Sequence, residues 1–220
     1  MNEGAEHWEM QNPSLFAKPT PLLLELAREL GADRTEDPLT LLRQLNTKLF
    51  KTFEYSPKHT RVDSPIDDAI RSRKGVCQDY THVMIALVRN LGIPCRYVSG
   101  YLYPKTKIEE RSALGATHAW LEAYLHNHGW IGFDPTNNEI CGTRHIRTAV
   151  GTDYADVPPT KGVFKGRASS QLSVAVRVEP SEAPSDEKDD FIMVAAATND
   201  VQEVEIPAWD ALQQQQQQQQ

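Results

Sequence analysis

One change of hydrophobic period in the middle of the chain decides what this sequence can fold into. Before Gly92 the apolar side chains recur every three to four residues, which predicts one buried face of an α-helix. Gly92 and Pro94 end that helix, because glycine terminates helices well and proline cannot continue one. The stretches that follow are rich in aromatic and β-branched residues and predict strands. The stripe is Tyr80, Met84, Leu87, Val88 and Leu91, and the predicted strands are residues 95–103, 117–125, 130–134 and 172–180.

Three earlier helices are predicted, each with a proline close to its first residue. Thr20-Pro21 and Asp37-Pro38 each combine a capping side chain with a proline at the first helical position. Gly31 ends the first of these helices, and Ser64-Pro65 starts a third, shorter one. Because the helices come first and the strands follow, the predicted fold class is α+β, with N-terminal helices packed on an antiparallel sheet.

The chain divides into three parts of different composition. Residues 1–19 are expected to be irregular, residues 20–179 to form the folded domain, and residues 180–220 to form an acidic linker and a low-complexity tail of glutamines. A net charge of −7 without a basic stripe argues against a nucleic-acid partner. No apolar run reaches the roughly 18 residues of a membrane span. Three widely spaced cysteines and the lack of a signal-peptide pattern predict a cytoplasmic protein, and the oligomeric state stays open.

Cys77 occupies a position that favours nucleophilic chemistry. It stands at the predicted start of a helix, where free N–H groups and the helix dipole stabilise a thiolate, and Gly75 permits close backbone approach just before it. A cysteine nucleophile also needs an imidazole base and a group that orients the base. His82 does not qualify, because five residues along a helix place it about 140° away from Cys77.

His118 and Asp134 are the candidate base and orienting residue. His118 opens one predicted strand and Asp134 ends the next. A three-residue turn at 126–128 sets Trp120 opposite Asp134, so His118 lies diagonal to Asp134 on the same face, at roughly 7–8 Å between Cα atoms. Taken singly, the three residues also suit a buried cysteine, a buried histidine and a turn-initiating aspartate. Taken together, they favour catalysis.

A zinc site is the competing interpretation of the remaining histidines. Cys141 and His145, which are predicted to lie in a loop, would supply ligands together with His126 and His128. The chain contains no CxxC or HExxH, and this spacing fits no common zinc pattern. A metal site is therefore the less favoured hypothesis.

Three motifs in order resemble the transglutaminase-like superfamily, and in particular its bacterial branch described as cysteine proteases. They are GVCQDYTHVMIALVRNLGIPCRYVSGYL, THAWLEAYL and GWIGFDPTNN, and the segments PTPLLLELAREL and DYADVPPTKGVFKG are also similar to that branch. The resemblance implies a papain-like core with Cys77 as nucleophile, His118 as base and Asp134 as the residue that orients His118. It implies acyl transfer or hydrolysis at amide bonds of a protein or peptide substrate through a thioester, with no metal or other cofactor.

The resemblance leaves parts of the mechanism and of the architecture open. The Cys77 backbone N–H is the natural first donor to an oxyanion, and Tyr55 is a candidate for the second. Trp120 and Trp130 are expected to flank the His118–Asp134 pair. Members of the bacterial branch usually carry a β-rich domain before PTPLLLELAREL, so residues 1–19 are expected to be its remnant. The alternative function is therefore a truncated, non-catalytic member that serves as a protein-binding module.

Overall fold

The computed structural model describes residues 7–33, 37–57, 59–103 and 117–158, together with positions 176 and 178. The predicted loop 104–116 and the predicted tail 180–220 lie outside these ranges, as does nearly all of the predicted strand 172–180. The boundaries proposed for the three parts of the chain therefore stay predictions.

Two of the N-terminal helices begin as the capping residues predict. Helix α1 (Pro21–Glu29) has Thr20 as its cap, and the Thr20 hydroxyl accepts a hydrogen bond from the Leu23 N–H at 3.1 Å. Helix α2 (Pro38–Thr52) has Asp37 as its cap, and the Asp37 carboxylate accepts from the Thr40 N–H at 3.0 Å. These side chains satisfy N–H groups that no helical carbonyl reaches.

The third helix begins one residue later than its sequence signal indicates. Helix α3 (Ile66–Ser72) is capped by Pro65 rather than by Ser64. Between α2 and α3 lies strand β1 (Glu54–Tyr55), which pairs in parallel with strand β2 (Lys74–Gly75). This small ladder fixes the segment that leads into the fourth helix.

Helix α4 (Cys77–Asn90) is the centre of the hydrophobic core. All of its residues except Asn90 are buried, and it packs against the sheet on one side and the N-terminal helices on the other. The predicted apolar stripe is fully enclosed, with Tyr80, Met84, Leu87 and Val88 at 0% exposure. Burying whole aliphatic and aromatic side chains at this density supplies the main driving force for the fold.

The predicted strands β3 (Cys95–Leu102), β4 (His118–Leu125) and β5 (Gly129–Asp134) are confirmed to within one residue at each end. Strands β6 (Glu139–Ile140) and β7 (His145–Gly151) were not predicted, and neither were β1 and β2. Within the described ranges, the five strands β3 to β7 form an antiparallel sheet in the order β6-β5-β4-β3-β7. The fold class is α+β, and no helix within the described ranges is long and apolar enough to cross a membrane.

Candidate active site

Cys77 is the first residue of α4 and lines a small cavity. The cavity measures about 40 Å³, and His118, Tyr97 and Thr60 line it together with Cys77. Cys77 is 8% exposed and forms no disulfide. The first N–H of this helix to bond back along the chain is that of Tyr80, to the Val76 carbonyl. The N–H groups before that of Tyr80, including that of Cys77, have no helical carbonyl to bond, so the start of α4 carries partial positive charge beside the cavity.

Asp79 holds the turn that presents Cys77. Its carboxylate accepts hydrogen bonds from the Val76 N–H at 2.8 Å and from the Thr60 hydroxyl at 2.5 Å. A Cβ atom at Gly75 would lie 2.6 Å from Oδ2 of Asp79, so only glycine leaves room for this contact. Burial raises the pKa of Asp79 to about 6, against the lowering effect of the Thr60 and Val76 hydrogen bonds.

The register of the β4–β5 hairpin brings His118 and Asp134 together. Leu125 pairs with Gly129 and Leu121 with Phe133, which is the register that the three-residue turn predicts. Nε2 of His118 lies 2.8 Å from Oδ2 of Asp134, and both side chains are almost completely buried. The predicted contact between these two side chains is confirmed.

The environment of His118 favours its charged form. Burial alone lowers the pKa of His118, but the Asp134 charge and hydrogen bond, followed by the interaction with Cys77, raise it to about 10. The other ring nitrogen, Nδ1, is buried and has no partner at hydrogen-bonding distance and angle among the described residues. Since Nε2 is committed to Asp134, Nδ1 is the nitrogen that remains to exchange a proton with Cys77.

Asp134 is ionised and densely hydrogen bonded. Oδ1 accepts from the backbone N–H groups of Thr136 at 3.0 Å and Asn137 at 3.2 Å. Oδ2 accepts from the Asn137 side chain at 2.8 Å in addition to His118. Burial would raise the pKa of Asp134, but the His118 charge and these hydrogen bonds hold it well below its usual range.

His145 is a site residue that the sequence did not predict. It was expected in a loop, but it opens β7, its side chain is 2% exposed, and its Nε2 lies 3.3 Å from Oδ2 of Asp134. Strand β7 reaches this point by pairing with β3, where the register shifts at Gly100. A Cβ at Gly100 would collide with the Ile146 carbonyl and the Trp120 ring. A glycine inside a strand pattern is a signal for such a close approach, and it was available in the sequence.

Three other expectations meet different outcomes. Trp120 does stack on His118, with ring centroids 6.1 Å apart, but Trp130 lies instead against Arg96, whose guanidinium is 4.1 Å from its ring. The prediction for Trp130 is therefore wrong. Tyr55 is not among the described residues that line the Cys77 cavity, and its role as the second oxyanion donor stays a prediction.

The residues of the zinc hypothesis do not converge. His126 and His128 are exposed in the turn before β5, whereas His145 contacts Asp134 at the far end of that strand. Six strand residues separate the two positions by roughly 20 Å. Within the ranges that the structure describes, no group of three or more histidine, cysteine and acidic side chains is placed to hold a metal ion.

Comparisons with known proteins agree with the fold. The model of the transglutaminase-like superfamily matches residues 25–135. A solved structure named "Putative Cysteine Protease" from Cytophaga hutchinsonii superposes with a TM-score of 0.61 at 26% identity, covering 80% of this chain and 58% of that one.

Curated relatives share part of their length with this chain. An uncharacterized protein of Mycobacterium leprae is 41% identical over 126 residues, which are 57% of this chain and 44% of the relative. A protein-glutamine gamma-glutamyltransferase of Pseudomonas aeruginosa is 33% identical over 100 residues, which are 44% of this chain and 15% of that enzyme. The chain spans about half the length of the mycobacterial relatives that it matches.

Proposed function

The chain belongs to the transglutaminase-like superfamily, and from that premise we propose that it catalyses acyl transfer or hydrolysis at amide bonds. In this proposal Cys77 is the nucleophile, His118 the acid and base, and Asp134 the residue that orients His118. The substrate is a protein or peptide, attacked at a backbone amide or at a glutamine side chain. The single observation that carries the proposal is the buried 2.8 Å contact between His118 and Asp134, beside a cysteine at a helix start.

The proposed reaction proceeds in two halves. His118 takes the Cys77 proton on Nδ1, and the sulfur attacks the amide carbonyl carbon. The resulting oxyanion lies at the start of α4, where the Cys77 N–H donates to it. The tetrahedral intermediate collapses as His118 returns the proton to the leaving nitrogen, so ammonia or an amine departs and a thioester remains. Water or a second amine then gives a proton to His118, attacks the thioester and releases Cys77.

Selective labelling of Cys77 is the first test. The other two thiols are poorly suited to react, because burial raises the pKa of Cys95 to about 12 and also raises that of the half-buried Cys141. We expect iodoacetamide at limiting amount to modify Cys77 first, as measured by peptide mass spectrometry. Equal modification of all three cysteines, or none at Cys77, would count against the proposal.

The second test identifies the reaction. The protein is incubated with a peptide library and a labelled primary amine, and cleavage, deamidation and amine incorporation are scored by mass spectrometry. We expect at least one of the three products from the wild-type protein and from a Cys141→Ala control, and none from Cys77→Ala. Products that persist in Cys77→Ala would refute a Cys77 nucleophile, and an absence of all products would favour the binding-module alternative.

A further inference from the structure

His145 is a second buried imidazole at the carboxylate that orients His118. Its Nε2 lies 3.3 Å from Oδ2 of Asp134, and its ring packs edge-on against Trp120 with centroids 5.2 Å apart. The two imidazole centroids, of His118 and His145, are 6.4 Å apart. The mechanism above leaves this side chain without a role.

The hydrogen bonds of His145 define its tautomer. Nδ1 accepts a hydrogen bond from the Gly142 N–H at 3.3 Å, so Nδ1 carries a lone pair and no proton. The proton of the neutral ring is therefore on Nε2, which donates it to Asp134. His145 thus acts on Asp134 as an uncharged donor.

Asp134 receives more donors than its oxygens can bond at full strength. Two backbone N–H groups reach Oδ1, and three side-chain N–H groups reach Oδ2. A carboxylate offers about four lone-pair sites, so the donors compete for its charge. The hydrogen bond that His145 donates to Oδ2 therefore weakens the attraction between Oδ2 and the proton of His118.

We propose that His145 is a positioning residue that moderates the hold of Asp134 on the proton of His118. The inference rests on the proposed function, in which His118 must keep a proton while Cys77 is a thiolate and then release it to the leaving nitrogen. A carboxylate with one donor fewer holds that proton more tightly, which favours the thiolate–imidazolium pair and slows the release. The hydrogen bond from His145 also lowers the pKa of Asp134, in the direction that this argument requires.

Among the described residues, the other ionisable groups near the pair are the same in the wild-type protein and in the His145 variants. These groups are Cys77 on α4, Glu122 on β4, and Cys141, Glu139 and Arg144 between Asp134 and His145. Glu139 and Arg144 form an ion pair at 3.1 Å. Any change in the pH dependence of His118 after a His145 substitution therefore reports the lost donor.

The test compares two substitutions of His145 with a matched control. His145→Phe keeps a ring against Trp120 but has no N–H, whereas His145→Gln keeps an N–H donor; His128→Phe makes the same chemical change at the exposed turn. The titration of the His118 imidazole is followed by ¹⁵N NMR from pH 6 to 12 for each protein. In His145→Phe we expect the His118 midpoint to move up by about one pH unit, the size of one hydrogen bond to a charged group, because Asp134 then holds the His118 proton more tightly.

His145→Gln and His128→Phe are expected to keep the wild-type midpoint. A His118 midpoint in His145→Phe that stays in place or moves down, as it would if His145 only supported the fold, overturns the inference. Imidazole ¹⁵N NMR of the wild-type protein gives an independent check that does not depend on how the variants fold. A His145 ring protonated on Nδ1 instead of Nε2 overturns the inference too, while a Cys77 that is unreactive in the wild type refutes the proposed function itself.

Discussion

Asp79→Asn should change how the stability of the protein depends on pH. Asp79 lies in the first turn of α4, is 4% exposed, and holds the turn before Cys77 through hydrogen bonds to Val76 and Thr60. Burial disfavours its charge more than those hydrogen bonds favour it, and its pKa rises from 3.8 to about 6. Asparagine has a similar shape and cannot ionise, so it removes the titration and little else.

The size and sign of the effect follow from the pKa of Asp79. A rise from 3.8 to about 6 corresponds to about 3 kcal/mol at about 1.4 kcal/mol per pH unit. The pKa is higher in the folded state than in the unfolded state, so the folded state binds the proton more tightly. The contribution is therefore fully present below about pH 4 and is lost as the pH rises through about 6.

Urea unfolding of the two proteins between pH 4 and pH 8 measures this contribution. Every other titrating group is common to both proteins, so the difference in free energy of unfolding isolates Asp79. We expect the wild-type protein to lose about 3 kcal/mol relative to Asp79→Asn over this range. Asp63→Asn, at an ion pair whose carboxylate is 49% exposed, should show almost no such trend. A difference for Asp79 that is constant, or that grows with pH, would refute the reasoning.

Two further substitutions test the surroundings of the site. Asp134→Asn removes the charge that holds the proton of His118, so burial should bring the pKa of His118 from about 10 to below 6.5, as followed by imidazole NMR; a value that stays near 10 would contradict the assigned cause. Gly132→Ala places a Cβ 2.6 Å from the Cβ of Cys141 and should destabilise the fold by about 1–3 kcal/mol in urea unfolding. Cys141→Gly in the same chain should relieve most of that loss, and strictly additive effects would exclude the clash.

The parts of the fold that the sequence predicts depend on neighbours along the chain. Thr20 and Asp37 cap their helices because a side-chain oxygen three residues before a free N–H reaches it without help from the rest of the fold. The His118–Asp134 contact needs only a hairpin and its turn length, because side chains alternate strictly between the faces of a strand. The residue numbers and the length of the turn are therefore enough to predict the central contact of the site.

Strand β7 shows where this kind of prediction ends. Its residues are β-branched at Ile146, Thr148 and Val150, but the strand lies at the edge of the sheet, and Ile146 and Val150 remain 39% and 41% exposed. An edge strand needs no clean alternation of buried and exposed residues, so its local pattern is weak. Its partner is β3, which β4, β5 and β6 separate from it in the chain, and nothing in the local sequence specifies that pairing.

The donors around Asp134 show that sequence separation alone does not measure how predictable a contact is. Thr136 and Asn137 bond Asp134 from two and three residues away through a turn that Asp-Pro signals. His118 is 16 residues away yet predictable, since one hairpin fixes its register. His145 is only 11 residues away, but its contact requires β7 to return to the far side of β3, past a glycine that lets the backbone approach Trp120. The strength with which Asp134 holds the His118 proton is therefore set in part by the topology of the whole sheet.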